Sequence, residues 1–157
     1  MALRRARRKT HDSGSGRRYP RLVRYRVLHA EDAFWRPSNQ MGVMNTDLAK
    51  QLEVDVLGAR LWRLNPGQAN TRHRHPEQWE LYVLLEGQGR IRADDDVLTL
   101  APLSAVVIEP HTVRQLFNDA DADQLWLIFG APREQLTSDD LDWMYPDGPK
   151  ARPPELA

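Results

Sequence analysis

The sequence predicts a single all-β domain built as an antiparallel sandwich or barrel, and two observations favour this organisation. From Val54 onward, short segments of β-forming residues alternate with turn residues at close spacing, which is typical of such folds. The chain has 157 residues and no cysteine, and it is long enough to bury the core of one domain without disulfide bonds. The predicted strands cover residues 22–28, 59–64, 79–85, 89–93, 97–100, 105–108, 114–118 and 124–129.

Short helical additions are expected on either side of the strand-rich region. Thr46 can cap a short helix over residues 46–52, with Asp47 suited to its first turn. Ser138 can cap one or two helical turns over residues 138–144, where several aspartates lie near the positive end of the helix.

The expected domain organisation is a single barrel with a segment at each end. Residues 1–20 form a basic tail, residues 21–135 the barrel, and residues 136–157 a helical turn followed by an extended tail with four prolines. Residues 1–26 contain ten Arg or Lys and one acid, whereas the rest of the chain contains twelve bases and twenty-one acids. The basic tail has few apolar residues and a linker-like stretch at 13–16, so we expect it to be disordered.

Composition also limits the cellular compartments and the binding partners that we expect for this protein. The tail has no apolar stretch after its basic start, unlike a secretory signal, and no run approaches the roughly 18 apolar residues of a membrane span. We therefore expect a soluble, cytoplasmic protein without membrane contact. The basic tail could contact nucleic-acid phosphates, but the only aromatic residues within residues 1–26 are Tyr19 and Tyr25, and the body is acidic. Nucleic acid is therefore not favoured as a partner.

Residues 67–87 contain two histidines and a glutamate at a spacing that suits metal binding. His73 and His75 point the same way if the backbone is extended, because strand side chains alternate. Glu80 can return to the same point if the chain turns at Pro76. Two imidazoles and one carboxylate are the ligand set of an open, three-residue metal site. This segment therefore carries most of the functional information in the sequence.

The same segment resembles the first motif of the cupin family, in which fixed Gly, His, His, Glu and Gly positions follow at set spacing. The resemblance covers roughly residues 57–130, about half of the chain. It implies a double-stranded β-helix, the cupin jelly-roll barrel, with a ligand pocket in the barrel mouth. It also implies that the two histidines and the glutamate correspond to three of the four metal ligands usual in the family. The motif positions are met by Gly67, His73, His75, Glu80 and Gly87.

The second cupin motif is matched less closely, because its histidine position carries an arginine. The third histidine of the family falls on Arg114, four residues before Asn118. Arginine cannot ligate a metal, because it stays protonated and has no free lone pair. His111 lies three positions too early, in the expected turn, and is not expected to substitute. Ser104 replaces the usual hairpin glycine, and the positions that keep the frame are Pro102, Val106, Val107, Ile108, Pro110, Thr112 and Asn118.

Three interpretations of Arg114 remain open. It can pair with Glu80 in a bidentate bridge and take the place of the ion. It can bind an anionic substrate, such as a carboxylate, beside the metal, or it can lie partly exposed at the barrel rim. Tyr82 shares the pocket face with Glu80, so its hydroxyl could hydrogen-bond a ligand. If a metal binds, the two-histidine, one-carboxylate set suits iron, manganese, nickel or zinc, and the sequence does not choose among them.

The strand at residues 79–85 is apolar on both faces, which bears on assembly. Alternation places Glu80 and Tyr82 on one face and Trp79 and Leu81 on the other. A strand covered on both sides is expected in a small barrel that packs against a partner. Cupins commonly pair by such sheets, so the resemblance and the pattern together predict a homodimer.

Two functions from different classes remain, and the sequence leaves open whether the protein is an enzyme. The first is a metal-dependent cupin enzyme acting on a small organic molecule, with His73, His75 and Glu80 holding the metal and Arg114 or Tyr82 orienting the substrate. The second is a non-catalytic cupin that binds or senses a small ligand, in which Arg114 pairs with Glu80 and no metal is bound. Acid–base isomerase chemistry is supported by the fold resemblance alone.

Overall fold

A computed structural model describes residues 25–157, and its fold is mostly β, with two sheets and short helices. The basic tail expected at residues 1–20 lies outside the described residues, and the described part of the strand expected at 22–28 has no regular structure. The strands are β1 (Arg36–Pro37), β2 (Met44–Asp47), β3 (Gly58–Leu64), β4 (Trp79–Glu86), β5 (Gly89–Ala93), β6 (Asp96–Leu100), β7 (Ala105–Ile108), β8 (Arg114–Phe117) and β9 (Gln124–Ala131). The helices are α1 (Leu48–Gln51) and α2 (Ser138–Met144), with short 3-10 turns at Ala30–Asp32 and Pro154–Leu156.

The strands from β3 onward agree with the predictions to within two residues at each end. They form a six-stranded sheet in the order β1-β2-β3-β9-β4-β7 and a three-stranded sheet in the order β6-β5-β8. The strand pairs are antiparallel, as expected for a sandwich or barrel. The inward faces of the two sheets form one hydrophobic core that includes Leu64, Tyr82, Leu84, Ile91, Leu116 and Trp126.

The region of β2 and α1, which precedes β3, differs from the prediction. The helix expected over 46–52 begins later, at Leu48, because residues 44–47 form β2. Asp47 rather than Thr46 caps this helix, and its carboxylate accepts a hydrogen bond of 2.9 Å from the backbone N–H of Lys50. Asn45 and Thr46 are both buried, so β2 lacks the apolar–polar alternation by which a strand is recognised.

The C-terminal segment packs against the barrel instead of extending away from it. Helix α2 lies where the sequence predicts, but its cap is Thr137, which forms a capping box with Asp140. The following residues turn back, and the side-chain amide of Gln115 in β8 donates to the carbonyl of Ala151 at 2.9 Å. Glu155 then forms an ion pair with Arg92 of β5. None of the helices in the described part of the chain is long and apolar enough to span a membrane.

Candidate functional site

The two histidines lie in the segment that leads from β3 into β4, beside the start of β8. The backbone of His73 exchanges two hydrogen bonds with Arg114, of 3.0 and 2.8 Å, which fixes the segment against the small sheet. The chain bends at Pro76 and Glu77 before β4 begins, as the sequence predicts. The bend returns Glu80 to the histidines, so that one ligand atom from each of the three side chains lies within 4.8 Å of the others.

Each imidazole ring is oriented by a hydrogen bond at Nδ1, the nitrogen that faces away from Glu80. Nδ1 of His73 hydrogen-bonds the carbonyl of Thr71 at 2.8 Å, and Nδ1 of His75 hydrogen-bonds a carboxylate oxygen of Glu134 at 2.7 Å. Both partners are acceptors, so each Nδ1 carries a proton, and Nε2 is the nitrogen that each ring turns toward Glu80. The Nε2 atoms face the Glu80 carboxylate at 3.9 Å for His73 and 3.6 Å for His75.

The two oxygens of the Glu80 carboxylate have different surroundings. Oε2 accepts hydrogen bonds from Nε and Nη2 of Arg114 and from the hydroxyl of Tyr82. Oε1 faces Nε2 of His75 and accepts no hydrogen bond from the described residues. Oε2 is thus bound by Arg114 and Tyr82 and lies 3.9 Å from Nε2 of His73, while Oε1 is open toward His75.

The charges of the cluster shift the pKa values of its members. Burial would raise the pKa of Glu80, but His75 and the positive charge of Arg114 outweigh it, so the pKa lies well below its usual range. Burial, with Arg114 adding to it, lowers the pKa of His73 to about 4. Burial and the neighbouring Glu80 raise the pKa of Tyr82 far above its usual range. At neutral pH the site therefore holds an ionised Glu80, a neutral His73 and a protonated Tyr82.

Arg114 lies behind Glu80 and does not border the cavity. The residue is 0% exposed, and its side chain contacts Glu80, Tyr82 and the carbonyl of Thr112, which Nη1 reaches at 3.1 Å. The pair with Glu80 is formed, but both nitrogens of Arg114 converge on a single oxygen rather than bridging two. The partly exposed position at the rim is wrong, and a direct contact of Arg114 with a ligand would need another arrangement of this side chain.

A cavity of about 350 Å³ opens beside the cluster and is bordered by His73, His75, Glu80 and Tyr82. Its carboxylates are engaged by protein donors: Asp47 accepts from Arg60 at 2.7 Å, and Glu80 and Glu134 are bound as described. The arginines of the wall have donors to spare, because each guanidinium has five N–H groups. Arg133, for example, borders the cavity and donates to the carbonyl of Val54 at 3.3 Å. Arg133 therefore keeps N–H groups that a ligand in the cavity could use.

The chain beyond β9 contributes a wall that the sequence analysis did not assign to the site. Leu136, Met144 and Tyr145 border the cavity on the side of α2, and Glu134 borders it next to His75. Glu134 lies 59 positions from His75 in a loop without periodicity, so no sequence pattern indicated it. His111 remains in the turn before β8, with its ring edge-on to Trp143 at 5.4 Å, and is not part of the ligand cluster.

Comparison with known proteins agrees with this architecture. Residues 60–130 match the cupin domain family, whereas the curated proteins include no match to the chain. A sugar phosphate isomerase of the cupin superfamily from Silicibacter pomeroyi is 23% identical with a TM-score of 0.64, and 69% of this chain covers 76% of that one. A predicted oxalate decarboxylase from Thermotoga maritima is 16% identical with a TM-score of 0.62, over 69% of this chain and 100% of the other.

A conserved protein with a double-stranded β-helix domain from Klebsiella pneumoniae is 20% identical with a TM-score of 0.57, over 69% of this chain and 90% of that protein. At such low identities the similarity supports a shared fold but says nothing about the substrate. The family match and the shared β-helix coincide with the two sheets that frame the His73–His75–Glu80 cluster. Residues 60–130 therefore belong to the cupin domain family, and the described chain has the double-stranded β-helix of the cupin fold.

Proposed function

We propose that this cupin binds a divalent transition metal ion through Nε2 of His73, Nε2 of His75 and Oε1 of Glu80, and that it acts on a small organic molecule in the adjoining cavity. The observation that carries the proposal is the orientation of the ligand atoms. Each Nδ1 is held by an acceptor, and both Nε2 atoms are directed at the Glu80 carboxylate, 3.9 Å away for His73 and 3.6 Å away for His75. Iron, manganese, nickel and zinc all suit this set.

The ion and Arg114 need not exclude each other, because they use different oxygens of Glu80. The guanidinium occupies Oε2 and holds the carboxylate in its ionised form, which is the form that binds metal. The hydroxyl of Tyr82 donates to the same oxygen and fixes the plane of the carboxylate. Two imidazoles and one carboxylate fill part of a coordination sphere, and a bound ion would supply Lewis-acid polarisation of a ligand oxygen.

We further propose that the ligand carries acceptor oxygens, such as those of a carboxylate. The cavity is bordered by Arg60 and Arg133, while Asp47, Glu80 and Glu134 already accept hydrogen bonds from the protein. A ligand that accepts hydrogen bonds would satisfy the donors that remain. Tyr82 borders the cavity and is the protein hydroxyl nearest to the carboxylate of Glu80, so its predicted contact with the ligand remains part of the proposal.

Elemental analysis of the protein purified under anaerobic conditions tests the metal site. We expect a stoichiometric transition metal in the wild type and its loss in His75→Ala, because an imidazole ligand is removed. His111→Ala is the matched control, since His111 is a histidine of the same region outside the cluster. An absence of metal, even after incubation with Fe²⁺, Mn²⁺, Ni²⁺ and Zn²⁺, would contradict the proposal.

The second candidate function, a metal-free binding or sensing cupin, is favoured by the formed pair between Arg114 and Glu80. The variant Arg114→His separates the two functions, because it restores the histidine usual in the family. If Arg114 replaces the ion, the wild type is metal-free and the variant acquires metal. If the wild type already binds metal tightly and the variant changes nothing, the replacement hypothesis fails.

We also propose that a second copy of this chain covers the outer face of the large sheet. The exposed apolar residues on adjacent strands are Trp79 (48% exposed), Leu81, Val107 (55% exposed) and Phe129, and Leu81 pairs with both Val107 and Phe129. Analytical ultracentrifugation should give a dimer that Leu81→Asp dissociates, whereas Val56→Asp, at an exposed position outside the strands, leaves it intact. A monomeric wild type at micromolar concentration would contradict this.

A further inference from the structure

Glu134 connects the chain beyond the barrel to the bend that carries His75. Its side chain is only 7% exposed, although it lies in the loop after β9. Oε2 accepts from Nδ1 of His75 at 2.7 Å, and Oε1 accepts from the backbone N–H groups of Glu77 and Gln78, both at 2.7 Å. The side-chain amide of Gln78 donates to the carbonyl of Pro132 at 2.9 Å, so the bend and the loop are held at a second point.

The two oxygens of Glu134 therefore have separate roles. Oε1 fixes the backbone of the bend, which sets where the ring of His75 lies. Oε2 fixes which nitrogen of that ring carries the proton. Partners of this kind on Nδ1–H orient metal-binding histidines in many sites. His73 has the neutral carbonyl of Thr71 in the equivalent place, so the two imidazoles are held by different kinds of acceptor.

We infer that Glu134 is a positioning residue of the candidate metal site, which holds His75 as the Nδ1–H tautomer with its Nε2 lone pair directed at the ion. The inference rests on the proposed metal site for its functional meaning. The tautomer itself is a property of the metal-free protein. It can therefore be measured whether or not a metal binds.

The variant Glu134→Gln tests this because it keeps the shape of the side chain and removes one acceptor. The amide carbonyl should stay on the N–H groups of Glu77 and Gln78, since turning it over would place an NH₂ group against two donors. The NH₂ group then faces Nδ1 of His75, which must become an acceptor, so the proton moves to Nε2. A protonated Nε2 cannot ligate a metal.

Two measurements on three proteins test the inference: the wild type, Glu134→Gln and the matched control Glu77→Gln. Glu77 is exposed and adjacent to the site, its side chain has no hydrogen bond to the described residues, and its substitution removes the same charge. In metal-free protein, ¹⁵N NMR of the imidazoles should show His75 changing from Nδ1–H to Nε2–H in Glu134→Gln alone. Titration with Mn²⁺ or Zn²⁺ should show the affinity falling by about 10–100-fold in the same variant.

The outcomes separate this inference from the metal proposal. If Glu134→Gln keeps the Nδ1–H tautomer and the wild-type affinity, the positioning role is overturned. If the tautomer changes but the wild type binds no metal, the positioning role holds and the metal proposal fails. Should Glu134→Gln not fold, the wild-type spectrum decides, because a metal-free His75 in the Nε2–H form overturns the inference.

Discussion

The motif segment, residues 67–87, and the chain beyond the barrel, residues 132–157, border the same cavity and contribute differently to it. The motif segment supplies the three candidate ligands from a short stretch with fixed spacing. The chain beyond the barrel lies outside the cupin-domain match and supplies Glu134 and an apolar wall from α2. The identity and spacing of the ligand residues therefore depend on local sequence, whereas their orientation and the shape of the cavity depend on distant residues.

The largest expected effect follows from removing the charge of Glu80 in the motif segment. Glu80→Gln leaves Arg114 buried without a counter-charge, and we expect a loss of about 3–5 kcal/mol in the free energy of unfolding. Chemical denaturation followed by fluorescence measures it. The double variant Glu80→Gln with Arg114→Met is the control and should recover most of the loss, since neither charge remains. Equal stability of Glu80→Gln and wild type would show that the Glu80–Arg114 pair does not stabilise the motif segment.

A smaller effect is expected from the two glycines that bound the motif segment, because both have positive φ. Gly87 has φ 86°, and an added Cβ would overlap the backbone carbonyl of Asp123. Gly67 has φ 78°, but no atom lies within 4 Å of such a Cβ. Gly67→Ala should therefore cost about 1–2 kcal/mol from the backbone alone, and Gly87→Ala clearly more. Denaturation curves that rank the two variants in the opposite order would contradict this account of the motif.

The smallest effect is expected in the chain beyond the barrel. The guanidinium of Arg74 lies 4.1 Å from the ring centroid of Trp143, and its Nε donates to the Trp143 carbonyl at 2.8 Å. Trp143→Leu should cost about 0.5–1 kcal/mol and speed amide hydrogen exchange in α2 while the barrel amides keep their rates. Leu141→Ala, at an exposed position of the same helix, is the control. Faster exchange throughout the barrel would mean that this segment is part of the barrel core.

The same difference explains how much could be predicted from the sequence. The strands from β3 to β9 follow hydrophobic alternation and turn residues, and the ligand cluster follows from spacing within one bend. Strand β2 was missed because the buried residues Asn45 and Thr46 are polar. The position of Arg114 behind the Glu80 carboxylate follows from the pairing of His73 with β8, which no local pattern encodes.

The contribution of the C-terminal chain could not be predicted for the same physical reason. Glu134 reaches His75 across 59 positions, and the prolines of the last segment suggested an extended tail. The packing of that tail depends on tertiary contacts such as the ion pair between Arg92 and Glu155. Such contacts exist only once the three-stranded sheet is formed.

A crystal structure of the metal-loaded protein, recorded at the absorption edge of the metal, would locate the ion relative to Glu80 and Arg114. We expect an anomalous peak bonded to Nε2 of His73, Nε2 of His75 and Oε1 of Glu80, with Arg114 still on Oε2 of the same carboxylate. A site without a peak, or an ion that binds only after Arg114 has left Glu80, would contradict the proposed metal site.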